Sequence, residues 1–275
     1  RFLQKSINGI RGVLKCRLDA RRLFDKTALH EELMVLAPET ICKSEVVRAG
    51  AKLPPGAVWI LKANWGWQGK GNKVVDTQAG LDAAIATLSD PREIAPYVKL
   101  QDVEIIASEY IRDPMMYHGY KFHVRIFVVA LVQGDGAGTT RKYWVGNAGV
   151  IAPAGEKYID GDYDNTMMHD SHFSKNPSLI GLYPDDLPDV DVSRVNAMIA
   201  KVFCVMTPHI KKFPEAENGY DIYGLDVMLT ADGEPKLLEI NRFPSFLADD
   251  KFRNPRVDID LLRYDIYDMV IQTAV

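Results

Sequence analysis

Alternation of apolar and polar positions predicts strands along the chain, and the clearest one covers 121–132. Its even positions are all apolar and predict one buried face. Its odd positions begin with Lys121, His123 and Arg125 and then become apolar, which is typical of a strand buried on both sides. Three polar side chains therefore share one face at its N-terminal end, lining either solvent or an anion site. Arg125 is the better candidate for a phosphate or carboxylate contact, whereas a lone histidine is by default a hydrogen-bonded neighbour.

Other apolar patterns predict the remaining elements. Shorter runs indicate strands over 57–62, 73–75 and 103–111, and a strand pair within 142–151 that turns at Gly146-Asn147. Helical spacing indicates helices over 28–36, 77–89, 190–206 and 257–274, the second capped by Thr77. The apolar stripes of the first three helices are Leu29, Leu33 and Leu36; Leu81, Ala84, Ile85 and Leu88; and Val195, Met198, Ile199, Val202, Phe203 and Met206.

Residues 223–246 predict a β-hairpin, because two apolar runs flank the turn signal Asp232-Gly233. A loop of two or four residues centred on that signal sets the cross-strand register. It pairs Leu229 with Lys236, Val227 with Leu238 and Asp226 with Glu239. Directly opposed residues of a sheet point to the same side, so this register brings the last pair together.

Two carboxylates directly opposed across this hairpin repel each other. Asn241 lies two residues beyond Glu239 and shares its face. A hard cation held by carboxylate and amide oxygens removes the repulsion, and Mg²⁺ shared with a nucleotide's phosphates is the usual one. Asp226, Glu239 and Asn241 are therefore candidate metal ligands. The alternative is an exposed hairpin with scattered acids, or a bulge that breaks the register.

A glycine-rich segment follows the strand that Lys62 closes. Gly66, Gly69 and Gly71 in this segment would let backbone N–H groups approach phosphates, and Lys62 or Lys70 could supply positive charge. The segment has neither the Walker pattern nor a GxGxxG sequence before a helix. A plain flexible hairpin tip is equally compatible with it.

Composition and charge limit the function classes. The 275 residues are 47% apolar and 25% charged, an ordinary globular mix, and the net charge of −4 does not favour nucleic acid. No apolar run reaches the ~20 residues of a membrane span, and the first residues lack the regions of a signal peptide. Three widely spaced cysteines suggest neither disulfides nor a zinc site, which fits a reducing, cytoplasmic compartment.

Two smaller clusters have open interpretations. Basic residues are concentrated in the first 26 positions, either as a solvated surface or as a surface for an acidic partner. His169 and His172 lie beside Asp170 in the loop-rich stretch 152–190. The two histidines converge only if this stretch is helical, so metal binding there is not expected.

These features in this order resemble the ATP-grasp superfamily and, within it, the tubulin–tyrosine ligase-like family. WILKANWGWQGKG is similar to the family's strand, lysine and glycine-loop segment, and EYIRDPMMYHGYKFHVRIFV to its segment ending in Lys-Phe-Asp-Ile-Arg. YGLDVML and LLEINRFPSF are similar to its Gly-Phe-Asp and Glu-Val-Asn-x-x-Pro-Ser segments. The resemblance runs from about Trp59 to Phe246, and the first fifty residues match only loosely.

The resemblance implies an α+β ATP-grasp fold, in which two lobes with mostly antiparallel sheets clasp ATP. It divides the chain into an N-terminal segment (1–56), a central lobe (57–113) and a C-terminal lobe (114–275). It implies ATP- and Mg²⁺-dependent activation of a carboxylate as an acyl phosphate, which the amino group of an amino acid then attacks. By position, it assigns Lys62, Lys121 and Arg125 to the phosphates and reaction centre, Glu109, Tyr110 and Ile111 to a hinge whose backbone meets adenine, and Asp226, Glu239 and Asn241 to Mg²⁺.

Three departures from the family pattern concern sugar contact and substrate recognition. His123 stands where the family has an aspartate that binds ribose, and Ala152 stands where it has an arginine. The segment 169–172 reads His-Asp-Ser-His in place of His-Leu-Thr-Asn. We therefore expect a divergent ligase that joins an amino acid to a protein or peptide, with an acidic acceptor possible and tubulin not assumed. The alternatives are a ligase for a small molecule and a nucleotide-binding module that has lost ligation.

Overall fold

The computed structural model of the chain describes residues 16–64, 71–90, 103–135, 138–213, 218–242 and 244. Its strands are β1 (Cys16–Arg17), β2 (Ser44–Val47), β3 (Trp59–Ala63), β4 (Lys73–Val75), β5 (Ile105–Glu109), β6 (Met116–Tyr117), β7 (Tyr120–Asp135), β8 (Gly138–Pro153), β9 (Gly181–Tyr183), β10 (Asn218–Leu229) and β11 (Pro235–Arg242). Its α-helices are α1 (Arg21–Phe24), α2 (Lys26–Leu36), α3 (Gln78–Leu88), α4 (Thr166–His169) and α5 (Val192–Met206). Short 3₁₀ helices cover Pro38–Thr40, Pro177–Leu179 and Thr207–His209.

The strands form two sheets, one in each lobe. The larger sheet has the order β1-β10-β7-β8-β9, with β11 also paired to β10 and β6 to β7. The smaller sheet has the order β2-β5-β3-β4. Only the short β1–β10 pair is parallel among the strand pairs of the described residues. The predicted α+β architecture of two lobes with mostly antiparallel sheets is therefore confirmed.

The larger sheet is buried on both faces around β7. One face packs against α5, whose six predicted stripe residues are all buried, and against leucines of α1 and α2. The opposite face of β7 contributes Phe127 and Val129 to a second cluster with Ala152 and Phe173. The prediction of a strand buried on both sides is confirmed, and its polar N-terminal end is enclosed as well.

The smaller sheet buries one face against α3. Leu81, Ala84, Ile85 and Leu88 pack against residues of β3, β4 and β5, as the helical stripe predicts. The Thr77 side-chain oxygen accepts a hydrogen bond from the Gly80 N–H at 3.2 Å, so the predicted cap is confirmed. With this face covered, the other side of the sheet is directed towards the second lobe.

The predicted hairpin exists, but its register differs from the predicted one over the three pairs nearest the turn. Gly233 has a φ of 79°, and its N–H bonds to the carbonyl of Thr230, while Thr230 itself pairs with Glu234. The loop therefore has three residues rather than two or four. Val227 pairs with Leu237, Met228 with Lys236 and Leu229 with Pro235, so two predicted pairs were wrong.

A bulge then restores the predicted register at the functional end of the hairpin. The extra residue, Leu238, falls between the pairs Val227–Leu237 and Asp226–Glu239. The three-residue loop shifts the pairing by one residue relative to the prediction, and the bulge shifts it back. Asp226 is therefore directly opposite Glu239, as predicted.

Three other predictions need correction or lie outside the described residues. The stretch 142–151 is part of the single strand β8, and Gly146-Asn147 lies at a bulge opposite β7 rather than at a turn. Leu36 is 52% exposed because α2 ends there, so it is not part of the buried stripe. The helix predicted over 257–274 lies outside the described residues. The division at 56 and 113 stays a prediction, and strands from 1–56 join both sheets.

Candidate active site

A cleft of about 410 Å³ separates the two sheets and gathers the candidate site residues. The smaller lobe supplies β3 and the segment after β5, and the larger lobe supplies the adjacent strands β7, β10 and β11. The predicted residues that line the cleft are Lys62, Glu109, Tyr110, Ile111, Lys121, His123, Arg125, Asp226, Glu239 and Asn241. The two predicted strand faces, one with Lys121, His123 and Arg125 and the other with Asp226, Glu239 and Asn241, thus both line this cleft.

The glycine-rich segment is only partly described. Gly66, Gly69 and Lys70 lie outside the described residues, so their predicted phosphate contacts stay predictions. Gly71 has a φ of 86°, and a Cβ atom there would lie 3.0 Å from the Leu88 side chain. It packs towards α3 and is not among the described residues that line the cleft.

Two buried lysines provide positive charge on opposite walls of the cleft. Lys62 on β3 is 9% exposed and Lys121 on β7 is 5% exposed. Burial lowers the pKa of Lys62 and lowers that of Lys121 to about 7, because the charged form loses its hydration. The Lys121 Nζ lies 3.7 Å from the centre of the Tyr110 ring, an attractive cation–π contact. An anion in the cleft would favour the charged form of both lysines.

Arg125 and Asp226 form a buried ion pair on neighbouring strands. They are direct cross-strand partners in the pairing of β7 with β10, so their side chains share one face. The guanidinium binds the carboxylate with two hydrogen bonds, one from Nε to Oδ1 and one of 2.9 Å from Nη2 to Oδ2. Two parallel bonds of this kind hold both groups in one orientation.

Glu239 and Asn241 lie on the other side of Asp226, on β11. The Asn241 amide nitrogen donates to Asp226 Oδ2 at 3.2 Å and to Glu239 Oε1 at 3.1 Å. Lys26 Nζ is 3.4 Å from the other Glu239 oxygen. Burial alone would raise the pKa of Glu239, but Lys26, Lys62 and the Asn241 hydrogen bond lower it to about 2. Glu239 is therefore a carboxylate at any pH near neutrality.

Asp226, Glu239 and Asn241 form the candidate metal face, and their ligand atoms suit a hard cation. It offers two carboxylates and an amide, which are oxygen ligands of the type that Mg²⁺ prefers. In this structure, its members bind Arg125, Lys26 and each other. Within the described parts of the chain, no three His, Cys, Asp or Glu side chains already converge as a metal cage. A cation would therefore bind carboxylate oxygen lone pairs of Asp226 and Glu239 that are not used by Arg125 and Lys26, or it would displace these two side chains.

His123 is buried between Ser171 and Asp226, and each of its ring nitrogens faces one of them. Its Nδ1 lies 2.7 Å from Ser171 Oγ, and its Nε2 lies 3.5 Å from Asp226 Oδ1. Phe173 packs edge-on against the imidazole, and the Arg125 guanidinium lies 5.2 Å from the Phe173 ring centre. Burial lowers the pKa of His123, and Asp226 opposes this effect only in part. The imidazole is therefore neutral at pH 7.

Ala152 lies directly opposite His123 in the pairing of β7 with β8 and is fully buried. Phe173 belongs to the same apolar cluster. The strand position opposite His123 is therefore apolar where the family pattern predicts an arginine. No cation replaces that arginine at this strand position.

The predicted hinge, Glu109 to Ile111, lies at the end of β5 and stays a prediction. The Glu109 N–H bonds to the Lys43 carbonyl at 2.8 Å, and the Tyr110 N–H bonds to the Val58 carbonyl at 2.9 Å. Two of the three hinge N–H groups are thus used within the protein. The Tyr110 hydroxyl also bonds to His169 Nδ1 at 2.8 Å, which ties the hinge to the 169–172 segment of the other lobe.

The structure adds functional candidates that sequence reasoning missed. Lys26, His30 and Phe173 line the cleft beside the predicted residues. Lys26 was counted only as part of a basic surface, and His30 was hidden in a helix pattern. No local signal distinguishes such residues, because their position in the cleft depends on contacts that α2 or the loop around Phe173 makes with strands far away in the chain.

Comparison with known proteins agrees with this geometry. The model of the family described as the tubulin-tyrosine ligase family matches residues 23–169 and 188–263, which is more than half of the chain. The chain belongs to the tubulin-tyrosine ligase family. Lys26 on α2 and the candidate residues on β3, β7, β10 and β11 lie within the matched residues, whereas the cleft residues 170–173 lie in the unmatched stretch between them. The two-lobe fold is the ATP-grasp type that the sequence resemblance implied.

Individual relatives are distant. Human tubulin polyglutamylase TTLL7 is 25% identical over 194 residues, which cover 58% of this chain and 21% of that protein. The Xenopus tropicalis protein of the same name is 24% identical over 182 residues, covering 54% and 20%. Human tubulin polyglutamylase TTLL13 is 23% identical over 224 residues, covering 70% and 25%. The matched region is therefore a quarter or less of the length of each of these relatives.

The described part of the chain has only short or polar helices. None of the helices among them is both long and apolar enough to span a bilayer.

Proposed function

We propose that this protein is an ATP- and Mg²⁺-dependent ligase that joins an amino acid to a carboxylate of a protein or peptide. The observation that carries the proposal is the convergence of Lys62, Lys121 and Arg125 with Asp226 and Glu239 in one cleft between two lobes. Such a site can hold a polyphosphate and a second anion together, because cationic groups offset the charge that accumulates between them.

The residues of the cleft divide this work. Lys62 and Lys121 bind the phosphates, and their burial makes each contact stronger than it would be in water. Arg125 orients the transferred phosphoryl group. The acceptor carboxylate attacks the terminal phosphorus, ADP leaves, and an acyl phosphate results. The amino group of the donor then attacks the acyl carbon and phosphate leaves, so no protein nucleophile is required.

Asp226, Glu239 and Asn241 would hold the cation, and Mg²⁺ when bound offsets negative charge on the phosphates. The Asn241 amide can rotate so that its oxygen replaces its nitrogen at the carboxylates, since the two orientations have the same shape. The Ile111 backbone would meet adenine, because the Glu109 and Tyr110 N–H groups are already bonded.

The protein partners are also part of the proposal. The curated relatives are named as tubulin polyglutamylases, so a protein acceptor and an amino acid donor are the simplest expectation. An acidic acceptor and a cytoplasmic location fit this expectation. Ala152 and the segment 169–172 differ from the family pattern, and for this reason tubulin is not proposed as the specific acceptor.

A second candidate is a nucleotide-binding module that has lost ligation. It is favoured by one observation, the two hydrogen bonds from Arg125 to Asp226, which use Nε and Nη2 of the guanidinium within the protein. A small-molecule acceptor is the remaining alternative. Turnover measurements separate all three functions.

The decisive experiment measures phosphate release from Mg²⁺-ATP by the purified protein. The twenty amino acids are screened singly, with and without a mixture of acidic peptides and, separately, small carboxylates. We expect release that depends on one amino acid and on a peptide, with a mass increase of the peptide. ATP binding without release under any condition would support the binding module instead.

Two variants control this measurement. Glu239→Gln removes a candidate cation ligand and should abolish release. Glu234→Gln is its matched control, because Glu234 lies in the same hairpin, is about half exposed and contacts Arg194 away from the cleft. Release that continues in Glu239→Gln at the wild-type rate would refute the metal assignment.

A further inference from the structure

His123 has a buried ring nitrogen with no hydrogen-bond partner among the described residues. The residue is 6% exposed, and its Nε2 atom is enclosed without a donor or acceptor in bonding geometry. Asp226 Oδ1 is the nearest charged atom, at 3.5 Å, yet the contact is an ion-pair distance and not a hydrogen bond. Buried polar atoms are nearly always satisfied, so an unsatisfied nitrogen lone pair at a candidate site is a position where a ligand would gain a partner.

Nε2 has a free lone pair only in the tautomer whose proton is on the other ring nitrogen, Nδ1. Nδ1 lies 2.7 Å from Ser171 Oγ. When Nδ1 carries the proton and donates to Ser171, Nε2 presents a lone pair towards Asp226. Histidines that bind metals almost always donate the other ring N–H to an oxygen in this way, which fixes the ring orientation.

The spacing of the two facing atoms suits two ligands of one ion. Ligands about 2.1 Å from a common cation stand roughly 3.0–3.4 Å apart in octahedral or tetrahedral geometry. The Nε2–Oδ1 separation of 3.5 Å is close to this range. Arg125 occupies part of the Asp226 carboxylate, but an ionised carboxylate has about four acceptor positions.

We propose that His123 Nε2 is a nitrogen ligand of the cation site and makes it prefer a transition-metal ion, such as Mn²⁺, over Mg²⁺. Imidazole suits transition ions, whereas Mg²⁺ is bound by oxygen ligands. Asp226 and His123 form the core of the site. Glu239 completes it by turning from Lys26, with Asn241 as an additional oxygen ligand. This inference rests on the proposed function, since it names the cation of the same cleft.

The test measures metal binding directly, without nucleotide and without turnover. Mn²⁺ binding to the 275-residue chain is followed by electron paramagnetic resonance, with Mg²⁺ as the competitor. Pulsed measurements then look for ¹⁴N modulation from a coordinated imidazole. For the wild type, we expect ¹⁴N modulation and a Mn²⁺ affinity above that for Mg²⁺ by roughly tenfold or more.

Three variants make the test specific. His123→Asp supplies oxygen instead of nitrogen and should bind both ions, with the ¹⁴N signal lost and the preference for Mn²⁺ reduced by roughly tenfold. Ser171→Ala removes the partner of Nδ1 and should weaken Mn²⁺ binding by roughly 10–100-fold. His172→Asn is the matched control, because this cleft histidine bonds through Nδ1 to Ser174 instead and should change neither quantity.

The outcomes distinguish this proposal from the proposed function. An unchanged ion preference in a folded His123→Asp protein, or absence of the ¹⁴N signal in the wild type, overturns the nitrogen ligand. If the wild type then still binds Mg²⁺ and Glu239→Gln does not, the proposed function keeps its metal face. Failure of the wild type to bind either ion counts against both. If His123→Asp does not fold by circular dichroism, the wild-type signal and Ser171→Ala decide the question.

Discussion

Replacing Asp226 with asparagine should destabilise the whole protein, and the ion pair with Arg125 provides the reason. The two side chains are 10% and 8% exposed. Asparagine keeps the size of the aspartate but removes its charge, so a buried guanidinium loses its counter-ion. The hydrogen bonds from Arg125 would be offered to one carbonyl oxygen and one NH₂ group, and only the first can accept them.

The magnitude follows from the burial of the pair. Removing one partner of a buried ion pair costs about 3–5 kcal/mol, because the remaining charge cannot return to water. Glu239 lies one strand away and offsets part of that charge, so we expect a value near the lower end, about 3 kcal/mol. Since domains are stable by only about 5–15 kcal/mol, this is a large fraction of the total.

The assay is urea unfolding at pH 7 of the wild type, Asp226→Asn, Arg125→Gln and the double variant. The double variant should lose less than the sum of the single losses, because no charge is then left alone. Glu234→Gln breaks the exposed pair with Arg194, whose side chains are 46% and 41% exposed, and should cost less than about 1 kcal/mol. A similar small cost for Asp226→Asn would refute the buried-pair reasoning.

Three further predictions concern other parts of the cleft. Lys121, with its pKa near 7, is mostly neutral at pH 8.5, and bound phosphates would raise that pKa. ATP binding at pH 8.5 should therefore take up a proton, which is measured as a binding enthalpy that depends on the buffer. Proton uptake that persists in Lys121→Arg would contradict this. Burial, and then Lys62, lowers the pKa of His30 from 6.5 to about 4, so only the unfolded chain gains a proton between these pH values. Stability should fall by up to about 3 kcal/mol as pH drops through this window, and His30→Gln should remove most of that slope in urea titrations. A Cβ atom on Gly224 would lie 2.8 Å from Arg125 Cδ, so Gly224→Ala should cost about 1–3 kcal/mol, and an unchanged urea midpoint would exclude the clash.

The polar face at the start of β7 shows how far local patterns reach. The alternation of residues 121–132 predicts both the strand and the shared face of Lys121, His123 and Arg125, since side-chain direction repeats every two residues. The same pattern does not predict which residues of a neighbouring strand pair with these three. Asp226 is 101 residues away from Arg125, and only the pairing of β10 beside β7 brings them together.

The hairpin shows why a correct pair can follow from an incorrect register. The turn signal located the hairpin, but not the three-residue loop, because the loop length depends on the φ of 79° at Gly233. Nor did it show the bulge at Leu238, because bulges have no regular sequence pattern. The two shifts cancel, and Asp226 faces Glu239 as predicted.

The sequence by itself determined the three longest helices, the strand at 121–132, the helix cap at Thr77 and most of the charged residues of the cleft, among them Lys62, Lys121, Arg125, Asp226 and Glu239. These features depend on periods of 2 and 3.6 residues and on contacts within a few positions. Only the tertiary structure decided that Lys26 neutralises Glu239, that Asp226 holds Arg125, and that Phe173 and Ala152 form an apolar wall beside His123. Such contacts join distant segments, and their formation depends on strand order, loop length and bulges, which no local pattern encodes.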